Sequence, residues 1–79
     1  MKYFVLVYDR PNGKLIRPPE VYPDAQRHDA LTRRFELERE FVDRPDYEIV
    51  VLGGESEEAI RRTHGRYFKT MAELLTLPS

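Results

Sequence analysis

Two short segments, residues 3–8 (YFVLVY) and 47–52 (YEIVVL), constrain the fold more than any other part of the sequence. Side chains alternate between the two faces of a β-strand, and both segments carry apolar or aromatic residues on both faces, with Glu48 as the only charge. Strands of this kind are usually covered on both faces. A short chain has few elements with which to cover them, so we expect a second copy of the chain to cover part of the sheet or of the first helix.

The expected interface combines one face of the first strand with one apolar line of the first helix. The sequence leaves open which of the two strand faces contributes. With the odd-numbered face, the predicted interface residues are Tyr3, Val5, Val7, Leu31, Phe35 and Val42.

Composition limits the class of protein. The 79 residues are enough for one small domain, predicted over 1–79. The formal net charge of −1 does not favour nucleic acid or an anionic membrane as a partner. The sequence has no Cys, which excludes disulfides and thiolate metal sites. It also has no membrane-spanning apolar run, and a cytosolic location is expected.

The predicted fold is α/β of the α+β type, in the order β-β-α-β-α, with a three-stranded mixed sheet and two helices. The first strand covers about residues 2–9, and Asn12-Gly13 predicts a hairpin turn because both residues tolerate positive φ. Pro11 lengthens the expected loop to four or five residues. A short return strand over 14–17 is stopped by Pro18-Pro19, and residues 18–23 are interpreted as an extended connection.

A helix is predicted over about 24–42 with Asp24 as its N-cap. The strand 47–52 follows, and a right-handed crossover through the first helix predicts that it lies parallel to the first strand. Ser56 is expected to cap the second helix, whose first turn carries Glu57 and Glu58. Gly65 is expected to bend that helix, or to end it so that it restarts.

The first helix has two apolar lines about a quarter-turn apart. One contains Leu31, Phe35 and Val42, and the other contains Ala30, Leu37 and Phe41. Arg34 and Glu38 fall between the lines at a spacing that favours an ion pair. In one interpretation their long stems extend along an exposed edge. In the other, the helix is buried by its own sheet on one side and by a partner on the other, with the ion pair at the seam.

A basic and aromatic segment over 61–69 (RRTHGRYFK) is the candidate binding surface. Arg62, Arg66 and Lys69 share one helical face, and such cations suit phosphates. The alternative is that Tyr67 continues an apolar stripe into the core while the cations form a solvated face, with Arg62 paired to Glu58.

Asp9 ends the first strand, where carboxylates of α/β folds commonly hold metal. The ending Val-Tyr-Asp resembles the first strand of Cas2-type ribonucleases, and the resemblance implies a metal-binding Asp9 on a ferredoxin-like dimer. The early Asn-Gly hairpin and the helical C-terminal third depart from that family. Without metal, Asp9 would cap the hairpin or pair with an arginine. His64 is the candidate general base of an enzymatic reading.

The function predicted from these residues is a small, cytosolic, homodimeric binding or adaptor domain without catalysis, metal or cofactor. Its partners would be a second copy and another protein, with nucleic acid and membranes unlikely. The alternative is a metal-dependent nuclease or nucleic-acid-binding protein that uses Asp9, His64 and the helix over 61–69.

Overall fold

The computed structural model of this protein describes residues 1–68. Its strands are β1 (Lys2–Asp9), β2 (Lys14–Leu15), β3 (Glu20–Tyr22) and β4 (Tyr47–Gly54). A 3₁₀ turn over Asp24–Gln26 leads into helix α1 (Arg27–Glu40), and helix α2 (Glu57–Thr63) leads into a second 3₁₀ turn over Gly65–Tyr67. The predicted α+β class is confirmed, with four strands in place of three.

Strand β1 lies in the middle of the sheet. β4 pairs with one of its edges over the whole length, from Lys2 opposite Gly54 to Asp9 opposite Tyr47. β2 and β3 share the other edge, with β2 beside the end of β1 and β3 beside its start. All of these pairings are antiparallel, so the predicted mixed sheet is wrong for the described residues.

The direction of β4 corrects the prediction that it lies parallel to β1. The reason is β3, because part of the expected extended connection over 18–23 forms a strand that pairs with residues Tyr3–Val5 of β1. The chain has therefore already reversed direction before it enters α1. The crossover through α1 starts from β3 and not from β1, and it returns β4 parallel to β3, on the far side of β1.

The two helices lie on opposite faces of the sheet, and each builds one apolar core. On one face, Val5 and Val7 pack with Ala30 and Leu37 of α1. On the other face, the core consists of the residues Phe4, Leu6, Tyr8, Ile60 and Tyr67, the last two from α2 and its following turn.

This arrangement corrects the predicted role of the first strand in an interface. Val5 and Val7 are 2% and 1% exposed because α1 of the same chain covers them, and Tyr3 is half-buried against the same core. The opposite face is covered too, since Phe4, Leu6 and Tyr8 are buried. Both faces of β1 are thus covered within one chain, and a partner is not needed for that purpose.

The predicted hairpin is confirmed. Gly13 has a φ of 65°, the one positive value among the described glycines, and Asp9 pairs with Lys14 across a four-residue loop over 10–13. The amide of Gly13 donates to the carbonyl of Asp9 at 2.8 Å, which closes the turn. The return strand is shorter than predicted, although the Ile16 amide still bonds to the Val7 carbonyl at 3.0 Å.

The helix ends follow the predictions in part. The hydroxyl of Ser56 accepts from the amide of Ala59 at 3.1 Å and caps α2 as predicted. Asp24 is not the predicted N-cap, because it lies inside the 3₁₀ turn and Pro23 precedes that turn without a side-chain bond. α2 ends at Thr63, and the 3₁₀ turn that begins at Gly65 is the predicted restart.

Candidate interaction surface

One apolar line of α1 faces away from the sheet. The other apolar line packs on the sheet, and its residues Ala30 and Leu37 are fully buried there. Phe35 is 59% exposed, while Leu31 is half-buried. Val42 is 79% exposed and lies in the turn after α1, because the helix ends at Glu40 and not at the predicted residue 42. We call Leu31, Phe35 and Val42 the outer line. Phe35 therefore presents a large aromatic side chain to solvent, one helical turn from Leu31.

The outer line lies on the side of α1 that faces β4. On the opposite side, Arg33 reaches β3, where its Nε lies 2.9 Å from a carboxylate oxygen of Glu20. On the outer-line side, a groove of about 370 Å³ separates α1 from the start of β4. Its lining includes Val42, Tyr47 and Ile49. Arg34, Glu38 and Val42 therefore share this groove with the start of β4.

The edge of β4 away from β1 is unpaired within residues 1–68. The Arg10 amide, directly after β1, donates to the Asp46 carbonyl, directly before β4. The Val7 carbonyl points to the opposite edge of β1, where it accepts from the amide of Ile16 after β2. Even-numbered residues of β1 therefore direct their main-chain groups towards β4. By the antiparallel register, Glu48, Val50 and Leu52 bond inwards to β1. The free edge presents the amides and carbonyls of Ile49, Val51 and Gly53, together with the carbonyl of Tyr47, whose amide donates to the carbonyl of Arg44 at 3.0 Å.

The predicted ion pair between the two helical lines is present. Arg34 Nε lies 2.9 Å from a carboxylate oxygen of Glu38, and each side chain is 46% exposed. Both residues line the groove beside β4. The pair is therefore at the border of the outer line and open to solvent within the single chain, and it carries little stability by itself.

Asp9 is held by the hairpin turn. Its side chain accepts from the amide nitrogen of Asn12 at 3.3 Å and from the side-chain Nδ2 of Asn12 at 2.7 Å. The residue is only 7% exposed. This is the capping role that the sequence offered as the alternative to metal binding. Among residues 1–68, no group of three or more His, Cys, Asp or Glu side chains is arranged to hold a metal ion.

Glu48 joins three elements. Its carboxylate accepts from the Tyr67 hydroxyl at 2.6 Å and from Arg66 at 2.8 Å, and Arg10 Nε lies 3.6 Å away. Burial and the hydrogen bond to Glu48 both raise the pKa of the Tyr67 hydroxyl. The Tyr67 ring also meets Tyr8 edge-on at 5.0 Å. This cluster anchors the second 3₁₀ turn to the sheet.

The cations of the predicted basic surface have different environments in the structure. Arg66 is bound to Glu48 and also lies over the Tyr67 ring at 4.6 Å. Arg62 is exposed on α2, and the ion pair formed there is Arg61 with Glu57 at 3.6 Å in place of the expected pair of Arg62 with Glu58. His64 is half-buried at the end of α2. Lys69 lies outside the described residues.

The comparisons with known proteins add no relative. No family model, curated protein or solved structure matches this chain. No helix within residues 1–68 combines the length and the apolar character that crossing a bilayer requires.

Sequence reasoning missed two parts of this region. It noted Glu48 as the only charge of the two apolar strands but assigned it no bonding partner, although a lone charge in an apolar strand is a signal that its carboxylate has bound partners. It also did not identify the free edge of β4, because the edge depends on which strands pair, and the sequence pattern carries no such information.

Proposed function

We propose that this protein is a small, non-catalytic binding domain of the cytosol that works as a homodimer and associates through the outer line of α1. The observation that carries the proposal is the exposure of Phe35 on α1 and of Val42 in the turn after it, at 59% and 79%, while the other apolar line of α1 already covers the sheet. These two side chains add nothing to the core of the single chain, and their burial between two copies would be favourable.

The polar side chains support a binding role rather than the nuclease alternative. Asp9 uses its carboxylate to hold the hairpin turn, and Arg66 is committed to Glu48. Both groups would have to give up these bonds in order to act on a metal or a phosphate.

Sedimentation velocity at several protein concentrations tests the homodimer. We expect the wild type to be a dimer at micromolar concentration, with an interface above roughly 1,000 Å². Phe35→Glu should dissociate it, because a carboxylate would be buried in the apolar contact. Thr32→Glu is the matched control, since Thr32 is exposed on α1 outside the outer line. A wild type that stays monomeric at high micromolar concentration contradicts the proposal.

Fluorescence titration with single- and double-stranded RNA and DNA, with and without Mg²⁺ or Mn²⁺, tests the alternative function. At about 0.15 M salt, where the screening length is about 8 Å, we expect no submicromolar binding and no cleavage. Tight binding that is lost in Arg62→Ala/Arg66→Ala, or cleavage that is lost in Asp9→Asn, would favour the nuclease or nucleic-acid-binding alternative.

A further inference from the structure

The free edge of β4 has the properties of a strand that pairs with another strand. It is eight residues long, and along it only Gly53 is exposed, the other residues being half-buried. Its one charge, Glu48, bonds inwards to the Tyr67 and Arg66 side chains. Long edges without outward charges, prolines or bulges readily accept a further strand. β4 has no proline and presents three residues whose amide and carbonyl are both free, Ile49, Val51 and Gly53, together with the free carbonyl of Tyr47.

We propose that two copies of the chain pair antiparallel through β4, so that one sheet runs through both copies. The inference rests on the proposed homodimer and names its central contact. The symmetric partner of a β4 edge is another β4 edge, because a twofold axis perpendicular to the sheet makes the two strands antiparallel and keeps α1 of both copies on the same face.

The positions of the free main-chain groups select the register. Hydrogen-bonded pairs must join outward-facing residues, so odd-numbered positions face odd-numbered positions. Placing the twofold axis at Val50 sets Ile49 opposite the partner's Val51 and Tyr47 opposite the partner's Gly53. In this register Ile49 and Val51 exchange both main-chain bonds with the partner, and the Gly53 amide donates to the carbonyl of the partner's Tyr47. Shifting the axis by one residue leaves Tyr47 or Gly53 without a partner inside β4.

The charges on α1 complement one another under the same symmetry. The outer line runs from Leu31 to Val42, with basic Arg34 before its midpoint and acidic Glu38 after it. Two antiparallel copies of α1 therefore bring Arg34 towards the partner's Glu38. The ion pair that is 46% exposed on each side chain in one copy becomes part of a four-charge cluster between two apolar lines, which favours this orientation over a parallel one.

The proposed pairing of two β4 strands also extends both apolar cores into the partner. Val51 and Ile49 are half-buried on the α1 face, and Val50 and Leu52 on the α2 face. A neighbouring β4 places Val50 beside the partner's Val50 and adds equivalent side chains to both faces. The apolar side chains of β4 are only half-buried in one copy because each core ends at this edge of the sheet.

A cysteine cross-link tests the register. The protein has no Cys, so Val50→Cys introduces one thiol per copy. Opposed residues of a non-hydrogen-bonded antiparallel pair have Cα atoms about 4.5 Å apart, within the range of a disulfide. We expect Val50→Cys to form covalent dimers on mild oxidation. Val21→Cys on β3, 52% exposed in the wild type, is the control and should stay unlinked. Equal cross-linking of both variants overturns the register.

Removal of one edge amide tests the strand pairing itself. Val51→Pro deletes an amide that faces the free edge and leaves the bonds to β1 in place, while Val51→Ala shortens the side chain and keeps the amide. We expect Val51→Pro to raise the dimer dissociation constant by about tenfold or more relative to Val51→Ala. If Val51→Pro remains as dimeric as Val51→Ala while Phe35→Glu is monomeric, edge pairing is wrong and the homodimer stands. A monomeric wild type would overturn both proposals.

Discussion

Gly13 is the residue whose backbone most restricts substitution in the hairpin. Its φ of 65° is in a region that β-branched residues avoid. We predict that Gly13→Val lowers the free energy of unfolding by about 1 kcal/mol or more, through that conformation rather than through lost contacts. Gly13→Asn should cost less, because Asn tolerates positive φ. Urea unfolding measures both variants, and equal stabilities for Val and Asn would contradict the assigned turn.

The free energy of unfolding should depend on pH through the carboxyl group of Glu20. The hydrogen bond from Arg33 lowers the pKa of Glu20 below its ordinary value of 4.5, and the Tyr22 hydroxyl acts in the same direction while burial opposes them. A carboxyl whose pKa is lower in the folded state stabilises the fold above its unfolded pKa. We therefore predict that this contribution is present above pH 4.5 and is lost as the pH falls below that value.

The variant Glu20→Gln isolates this effect. Its unfolding free energy, measured from pH 7 down to pH 3, should fall less steeply on acidification than that of the wild type. Glu40→Gln, which removes an exposed carboxyl at the end of α1, is the matched control. A Glu20→Gln variant with the wild-type slope would show that the contact with Arg33 does not contribute.

At the scale of elements, α2 depends on its cap. The helix has only seven residues, and the Ser56 hydroxyl satisfies one of its free amides. We predict that Ser56→Ala lowers the free energy of unfolding by about 1 kcal/mol, whereas Ser56→Asp keeps most of it, because both oxygen side chains cap a helix start. Thermal unfolding monitored by circular dichroism is the measurement, and a neutral Ser56→Ala would argue against the cap.

The second 3₁₀ turn depends on one side-chain bond. The Tyr67 hydroxyl donates to Glu48 at 2.6 Å and connects the turn to β4. A double-mutant cycle of Tyr67→Phe and Glu48→Ala should give a coupling of about 1 kcal/mol, as expected for a hydrogen bond to a charged group that is partly open to water. Additive effects of the two substitutions would contradict that connection.

For the molecule as a whole, β1 should be the most protected element. It is the strand paired on both edges within residues 1–68, and both of its faces are buried. We predict that the amides of Phe4, Val5, Leu6 and Val7 exchange with solvent only through global unfolding and are the slowest in native-state hydrogen exchange. Slower exchange in α1 than in β1 would show that the helix, and not the sheet, holds the fold together.

Features that depend on neighbours in the chain can be predicted from residue type and spacing. The Asn12-Gly13 turn, the Ser56 cap, the break near Gly65 and the pair of Arg34 with Glu38 are each set by a few consecutive residues or by one helical turn. Their free energies are local, so residue type and spacing are sufficient to predict them. The α+β class follows from the same signals. The two apolar lines of α1, including Phe35 and Val42, were also visible in the sequence.

The pairing of the strands and the covering of their faces depend on contacts between distant parts of the chain. β3 has three residues next to prolines and is a strand because β1 offers it an edge, which no local pattern expresses. Its presence reversed the chain before α1 and so set the direction of β4. The position of α1 on one face and α2 on the other buried Val5 and Val7 and left Phe35 exposed. These outcomes follow from contacts between distant residues, whose energies exist only once the sheet has formed.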